Sequence, residues 1–183
     1  MLADAIFPSP TGTSERHSTM IKIRTTLADD WPAIMRIQSD CYHQLEPEPL
    51  EVMSNKAELA PACCWVAEHG GEVLGYLLCH PWRAHQPPPL SVSLSSLAGD
   101  EEFYLHDLAV SPRARGRGIG QRLLETALEF AGDQGYEHAG LVAVQDAPAF
   151  WRKQGFLPAA TRKSLAEYGE GAVYMRLPLT EPA

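Results

Sequence analysis

Phe103-Tyr104-Leu105-His106-Asp107-Leu108-Ala109-Val110 runs directly into Ser111-Pro112-Arg113-Ala114-Arg115-Gly116-Arg117-Gly118-Ile119-Gly120-Gln121-Arg122. The first eight residues are aromatic and aliphatic apart from His106 and Asp107, and Pro112 closes them, so they read as a strand. Gly116, Gly118 and Gly120 then alternate along a turn, and Ile119, Leu123, Leu124, Ala127 and Leu128 mark one face of a following helix. Backbone N–H groups converge in such a turn, and the helix start adds unpaired amides and its positive dipole end. That combination suits a phosphate or pyrophosphate. Arg113, Arg115, Arg117 and Arg122 supply four positive charges beside it.

On the N-terminal side, Cys63–Glu68 and Glu72–His80 are apolar runs joined by Gly70-Gly71, the signature of a tight hairpin. Ile21-Lys22-Ile23-Arg24 alternates as an edge strand does. Thr26, Asp29 or Asp30 can cap a helix that carries Pro32 in its first turn and Ile34, Met35, Ile37 and Cys41 along one stripe. A second helix is expected at 50–59, stopped by Pro61. Residues 81–101 are rich in proline and serine, and a loop of that length in a compact domain is either a binding loop or a surface excursion. Beyond the glycine turn the pattern gives a strand at 139–144, a short helix at 147–153, and a hairpin of 159–166 with 173–177. The expected architecture is one α+β domain over residues 20–183, with a mixed central sheet of six to seven strands and about four helices. Residues 1–19 contain two prolines and no periodic pattern, and read as a disordered leader.

Composition removes several functional classes. Fifteen Lys and Arg stand against 23 Asp and Glu, a net charge of −8, which disfavours nucleic acid as a partner. No apolar run approaches the roughly 20 residues that cross a bilayer, so no membrane contact is expected. Cys41, Cys63, Cys64 and Cys79 form no CxxC pair and read as reduced thiols of a cytoplasmic protein. Cys79, His80 and His85 match no closed metal-ligand spacing, so no metal is expected. Gln121 stands where a dinucleotide fingerprint needs glycine, no Gly-Lys-Ser/Thr follows the turn, and no GxSxG nucleophile is present.

What remains is Arg115-x-x-Gly118-x-Gly120, the R/Q-x-x-G-x-G/A pattern of acyl-coenzyme A binding. With Tyr104–Val110 before it and Ala149-Phe150-Trp151-Arg152-Lys153-Gln154-Gly155-Phe156 after it, the chain resembles the GNAT superfamily of acyl-CoA N-acyltransferases. The resemblance implies a strand pair that splays apart to admit acyl-CoA. It places pantetheine and the thioester carbonyl along the backbone of Leu108, Ala109 and Val110, and the pyrophosphate on the amides of Arg115, Gly116, Arg117, Gly118, Ile119 and Gly120. An asparagine often found after the family's fifth strand is missing, and Gln145 is the nearest amide. Acetyl-CoA would be the co-substrate, attacked directly by a small-molecule or peptide amine, and a homodimer is allowed.

Such a transfer needs a neutral amine, a donor to the oxyanion, and a proton for the leaving thiolate. Asp107 is the best-placed carboxylate for the first, its alternative being a strand aspartate bonded to a neighbour. Strand alternation sends His106 to the opposite face. Many relatives carry a tyrosine four residues before the Gly of Gly-Phe, where this chain has Trp151, whose indole cannot surrender a proton. Tyr104 and Tyr168 are the candidate replacements, and Trp151 is expected to pack against the cofactor as an aromatic wall. The alternative function is an acyl-CoA-binding sensor with impaired catalysis.

Overall fold

The computed structural model describes residues 20–43 and 45–179; the leader expected at 1–19 lies outside them. In chain order the elements are β1 (Lys22–Thr25), α1 (Trp31–Cys41), α2 (Leu50–Leu59), β2 (Cys64–His69), β3 (Glu72–Trp82) and β4 (Glu102–Val110). They continue with α3 (Ile119–Asp133), β5 (His138–Ala143), α4 (Pro148–Lys153), β6 (Leu157–Pro158) and β7 (Val173–Pro178). Among the described residues the seven strands form one sheet in the order β1-β2-β3-β4-β5-β7-β6. Every neighbouring pair is antiparallel except β4 with β5.

Gly70 and Gly71 both take positive φ, which a two-residue hairpin between β2 and β3 demands. The amphipathic stripe of α3 packs Ile119, Leu123, Leu124, Ala127 and Ala131 on one sheet face with Leu77, Phe103, Leu105 and Leu141. The opposite face receives Ile34 and Ile37 of α1 and Met53 of α2, against Cys64, Val66, Tyr76, Leu78 and Ala109. Burying two such layers supplies the main stabilisation of the domain.

Two expectations need correction. The strand after Gly71 continues through Pro81 to Trp82. β2 pairs with β3 only as far as Leu78, so past it one edge of β3 is free and a proline there costs no ladder bond. The last hairpin is shorter and begins earlier than the expected 159–166: Leu157 and Pro158 pair with β7, and Ala159 N–H donates to Tyr174 O at 2.9 Å before the chain leaves the sheet. The chain then turns to the 83–101 loop, where Arg162 N–H donates to the His85 carbonyl at 2.8 Å.

That loop is fastened along its length. Lys56 Nζ donates to Val92 O at 3.1 Å, Asn55 exchanges two hydrogen bonds with Leu94, and Tyr168 Oη donates to Pro88 O at 2.5 Å.

Candidate active site

β4 pairs with β5 only at Phe103 opposite Ala139 and Tyr104 opposite Gly140. A Cβ on Gly140 would stand 2.5–2.7 Å from the Glu102 carboxylate atoms, so glycine permits the close approach where the two strands meet. Beyond that point they part, and the β5-facing edge of Leu105–Val110 carries no strand. Ser111 N–H donates to Leu74 O on β3 at 2.8 Å. Alternation therefore turns the N–H and C=O groups of Leu108 and Val110 towards the open edge.

The register also breaks within β4. Leu78 lies opposite Asp107 while the next residue, Cys79, lies opposite Leu105, leaving His106 as an extra residue in a β-bulge. The expected opposition of His106 and Asp107 is thereby corrected: both face α1 and α2. His106 Nε2 lies 3.1 Å from Glu48 Oε2, and Asp107 accepts hydrogen bonds from Tyr42 Oη and, at 2.7 Å, Tyr76 Oη. Burial pushes the Asp107 carboxyl up to about 6, against the pull of the two tyrosine hydroxyls. Burial also works to raise Glu48, but the His106 hydrogen bond and charge outweigh it and hold the carboxyl below its usual range. His80, buried beside His106, is pushed down to about 3 by desolvation first and by its neighbour second.

Three adjoining cavities follow the open edge. The first, about 450 Å³, lies between the splayed strands and is lined by Leu105–Val110, Leu141, Val142, Gln145, Trp151 and the α1 end at Cys41 and Tyr42. A second, about 490 Å³, continues along Leu108–Val110 to Arg115, Gly116, Gly118, Ile119 and Gly120. A third, about 60 Å³, opens on the far side of Asp107 and is lined by Tyr42, Glu46, Glu48, Leu90, His106 and Tyr168 among others.

The glycine turn has the conformation that phosphate binding requires. Gly116 and Gly118 sit at φ +78° and +72°, and a Cβ on either would point into open space. Gly118 is the N-cap of the 15-residue α3, so the first-turn amides have no intrahelical partner. Ile119 is buried in the core, whereas Arg115, Gly116, Arg117 and Gly118 are exposed. Gln145 takes φ +53° at the end of the cleft. Trp151 is buried and stacks edge-on with Phe150 and Phe156 at centroid distances of 5.0 and 5.3 Å.

Tyr104 lines none of these cavities. It is buried with Trp82 and Leu94 behind the bulge. Tyr168 reaches the third cavity, with its proton committed to Pro88. Tyr42, Tyr76 and Glu48 were not singled out by sequence. Glu48, between Pro47 and Pro49, is only 6% exposed in the fold. Among the described residues no group of three or more His, Cys, Asp or Glu could hold a metal ion, and no helix is long and apolar enough to cross a membrane.

A mixed sheet whose fourth and fifth strands splay over a glycine turn at a helix start defines an acyl-CoA N-acyltransferase fold. The family model described as the Acetyltransferase (GNAT) family matches residues 31–156, more than half of the chain, and the protein belongs to that family. It is similar to N-acetyltransferase 8F1 of Mus musculus, with 35% identity over 92 residues, covering 50% of this chain and 36% of the mouse protein. Streptothricin acetyltransferase of Streptomyces lavendulae is 36% identical over 93 residues, 47% of this chain and 49% of that one. The matches thus span between a third and a half of those relatives' lengths. Among solved structures, Ard1 from Thermoplasma volcanium superposes with a TM-score of 0.69 at 19% identity, over 88% of this chain and 99% of that one. The NatC complex bound to Gag peptide and CoA gives 0.65 at 19% identity, over 87% and 99%. At such identity these are likenesses of fold.

Proposed function

We propose that the protein transfers the acetyl group of acetyl-CoA to an amine by direct attack on the thioester. The observation that carries this reading is the unpaired edge of β4, which runs from the Asp107 carboxylate to a phosphate-shaped glycine turn. Pantetheine would lie along it as an added strand on Leu108 and Val110, with Ala109 between them facing α1. The pyrophosphate would take the amides of Arg115 to Gly120, with the Arg115 and Arg117 guanidiniums beside it. Gln145 and Trp151 would line the pantetheine arm. The amine would enter through the small cavity beyond Asp107, where Glu46 and Glu48 supply negative charge. With the net charge of −8, this favours a cationic acceptor. Asp107 would take a proton from the nitrogen, and a backbone amide of the open edge would hold the oxyanion.

Calorimetry with acetyl-CoA tests the reading, paired with a thiol-release assay over a panel of amines. In Gly120→Glu the new side chain points into the cavity bounded by Val110 and Phe150. Its bulk and charge should abolish acetyl-CoA binding while the fold survives. Unchanged affinity in that variant would refute the assignment. Binding without coenzyme A release from any amine would make the protein an acyl-CoA sensor.

A further inference from the structure

We propose that Tyr42, backed by Asp107, is the group that protonates the departing coenzyme A thiolate. The inference rests on the acetyl-transfer reading above and supplies the proton donor that Trp151 cannot be.

Position singles out Tyr42. The cavity between the splayed strands and the cavity beyond Asp107 share five lining residues, Tyr42, His106, Asp107, Val142 and Val144. At their junction the thioester carbon meets the incoming nitrogen, and Tyr42 is the one hydroxyl among the five. Its Oη also lies 3.4 Å from Leu108 O, at the backbone position that faces the thioester. The other candidate hydroxyls lie away from the junction or are committed elsewhere: Tyr76 is fully buried on β3 and lines neither cavity, Tyr168 donates to Pro88 O, and Tyr104 is sealed behind His80 and Trp82. Tyr42 sits just past the last residue of α1, held by its N–H to Gln38 O at 3.1 Å and by its hydroxyl to Asp107.

The proton path balances without an outside reagent. The amine lone pair forms the N–C bond and the carbonyl pair moves to oxygen. The ammonium then passes a proton to Tyr42 Oη as the tyrosine's own proton moves to Asp107 Oδ1. When the oxyanion re-forms the carbonyl, the C–S bond breaks and its pair goes to sulfur. Tyr42 gives its proton to that sulfur and recovers one from Asp107. One proton has travelled from nitrogen to sulfur, and both side chains end as they began.

The electrostatics fit a relay better than a lone acid. Burial, and then the Asp107 charge, hold the Tyr42 hydroxyl well above its ordinary range, so alone it would yield its proton poorly. A protonated Asp107 behind it, with its carboxyl near 6, makes delivery downhill to a thiolate whose thiol ionises at about 8.5 as cysteine does.

The test uses hydroxylamine as the probe acceptor, a small amine that is neutral near pH 7. Coenzyme A release is followed in wild type, Tyr42→Phe, Asp107→Asn and the double variant, with acetyl-CoA affinity measured by calorimetry and folding by circular dichroism. Turnover in Tyr42→Phe should fall by about 10²-fold, the usual worth of a positioned acid, with acetyl-CoA affinity held within about threefold. The double variant should lose little more than Asp107→Asn alone, because the two act as one unit. Tyr104→Phe should keep wild-type turnover. Full turnover in folded Tyr42→Phe, or losses that multiply in the double variant, overturns the inference and leaves the acetyl-transfer reading intact. Wild type that fails to bind acetyl-CoA, or binds it and releases no coenzyme A, removes both.

Discussion

Replacing Asp107 by asparagine should shift the stability of the fold in a pH-dependent way, improving the variant relative to wild type as pH rises, while removing activity. The carboxyl is raised from 3.8 to about 6, chiefly by burial, so the folded state holds this proton more tightly than the unfolded chain does. With the folded value above the unfolded one, the favourable contribution is complete below about pH 4 and is lost as pH rises through 6. Two units correspond to about 3 kcal/mol. Asp107 is only partly buried and lines the cleft between the splayed strands, so screening should reduce this to about 1–2 kcal/mol. Asparagine does not titrate, and it can accept from only one of the Tyr42 and Tyr76 hydroxyls through its carbonyl. That mismatch costs about 1 kcal/mol at every pH and cancels when two pH values are compared. Urea unfolding of both proteins at pH 4 and pH 8 is the assay. The variant should gain about 1–2 kcal/mol on wild type between the two, because all other titrating groups are shared. A stability difference that stays constant from pH 4 to pH 8 would show that Asp107 ionises as an ordinary carboxyl, and the relay would lose its proton store.

Gly140→Ala should destabilise the domain by about 3 kcal/mol in denaturant unfolding. The new methyl displaces the fully buried Glu102 carboxylate from Tyr174 Oη at 2.7 Å and Arg176 Nε at 3.1 Å, and a loss under 1 kcal/mol would mean that the strand junction yields freely. Trp151→Tyr should weaken acetyl-CoA binding about fivefold, from roughly 1 kcal/mol of lost apolar contact, without raising turnover. A severalfold faster rate in that variant would return the acid role to the α4 position.

Much of this fold is local enough to read from sequence. The Gly70-Gly71 turn, the helices at 31–41 and 50–59, and the strand-turn-helix from Phe103 to Asp133 each carry their own punctuation, and each appears within a residue or two of its expected bounds. The last hairpin was misjudged because the chain leaves β7 after Ala159, and Ala160, Thr161 and Arg162 bond to His85 in a distant loop, which no periodicity within the segment reveals. Tyr42 and Glu48 were invisible for a related reason. Neither sits in a motif, and both acquire meaning only when α1 and the loop after it pack over the face of β4 that carries Asp107. The conformation of the glycine turn was legible because it resides in its own backbone, where Gly116 and Gly118 take positive φ.

The bulge at His106 explains why the open edge and the Asp107 carboxylate occur together. In an unbroken strand Asp107 would share a face with Phe103 and Leu105, pressed into the apolar layer under α3, where an unpaired carboxylate is costly to bury. One extra residue reverses the phase. Leu108 and Val110 now pack towards α3, while Asp107 turns to the other face and meets Tyr76 of the neighbouring strand and Tyr42 just past the end of α1. A bulged strand also bends and twists more sharply, and β4 leaves β5 just before this point, after Tyr104. The bend that sends Asp107 to its tyrosines is thus coupled to the one that frees the Leu108 and Val110 amides. Sliding β4 by one residue would bury the acid and reverse its faces together, so the proposed binding edge and the proposed proton-handling group stand or fall on a single feature of the backbone.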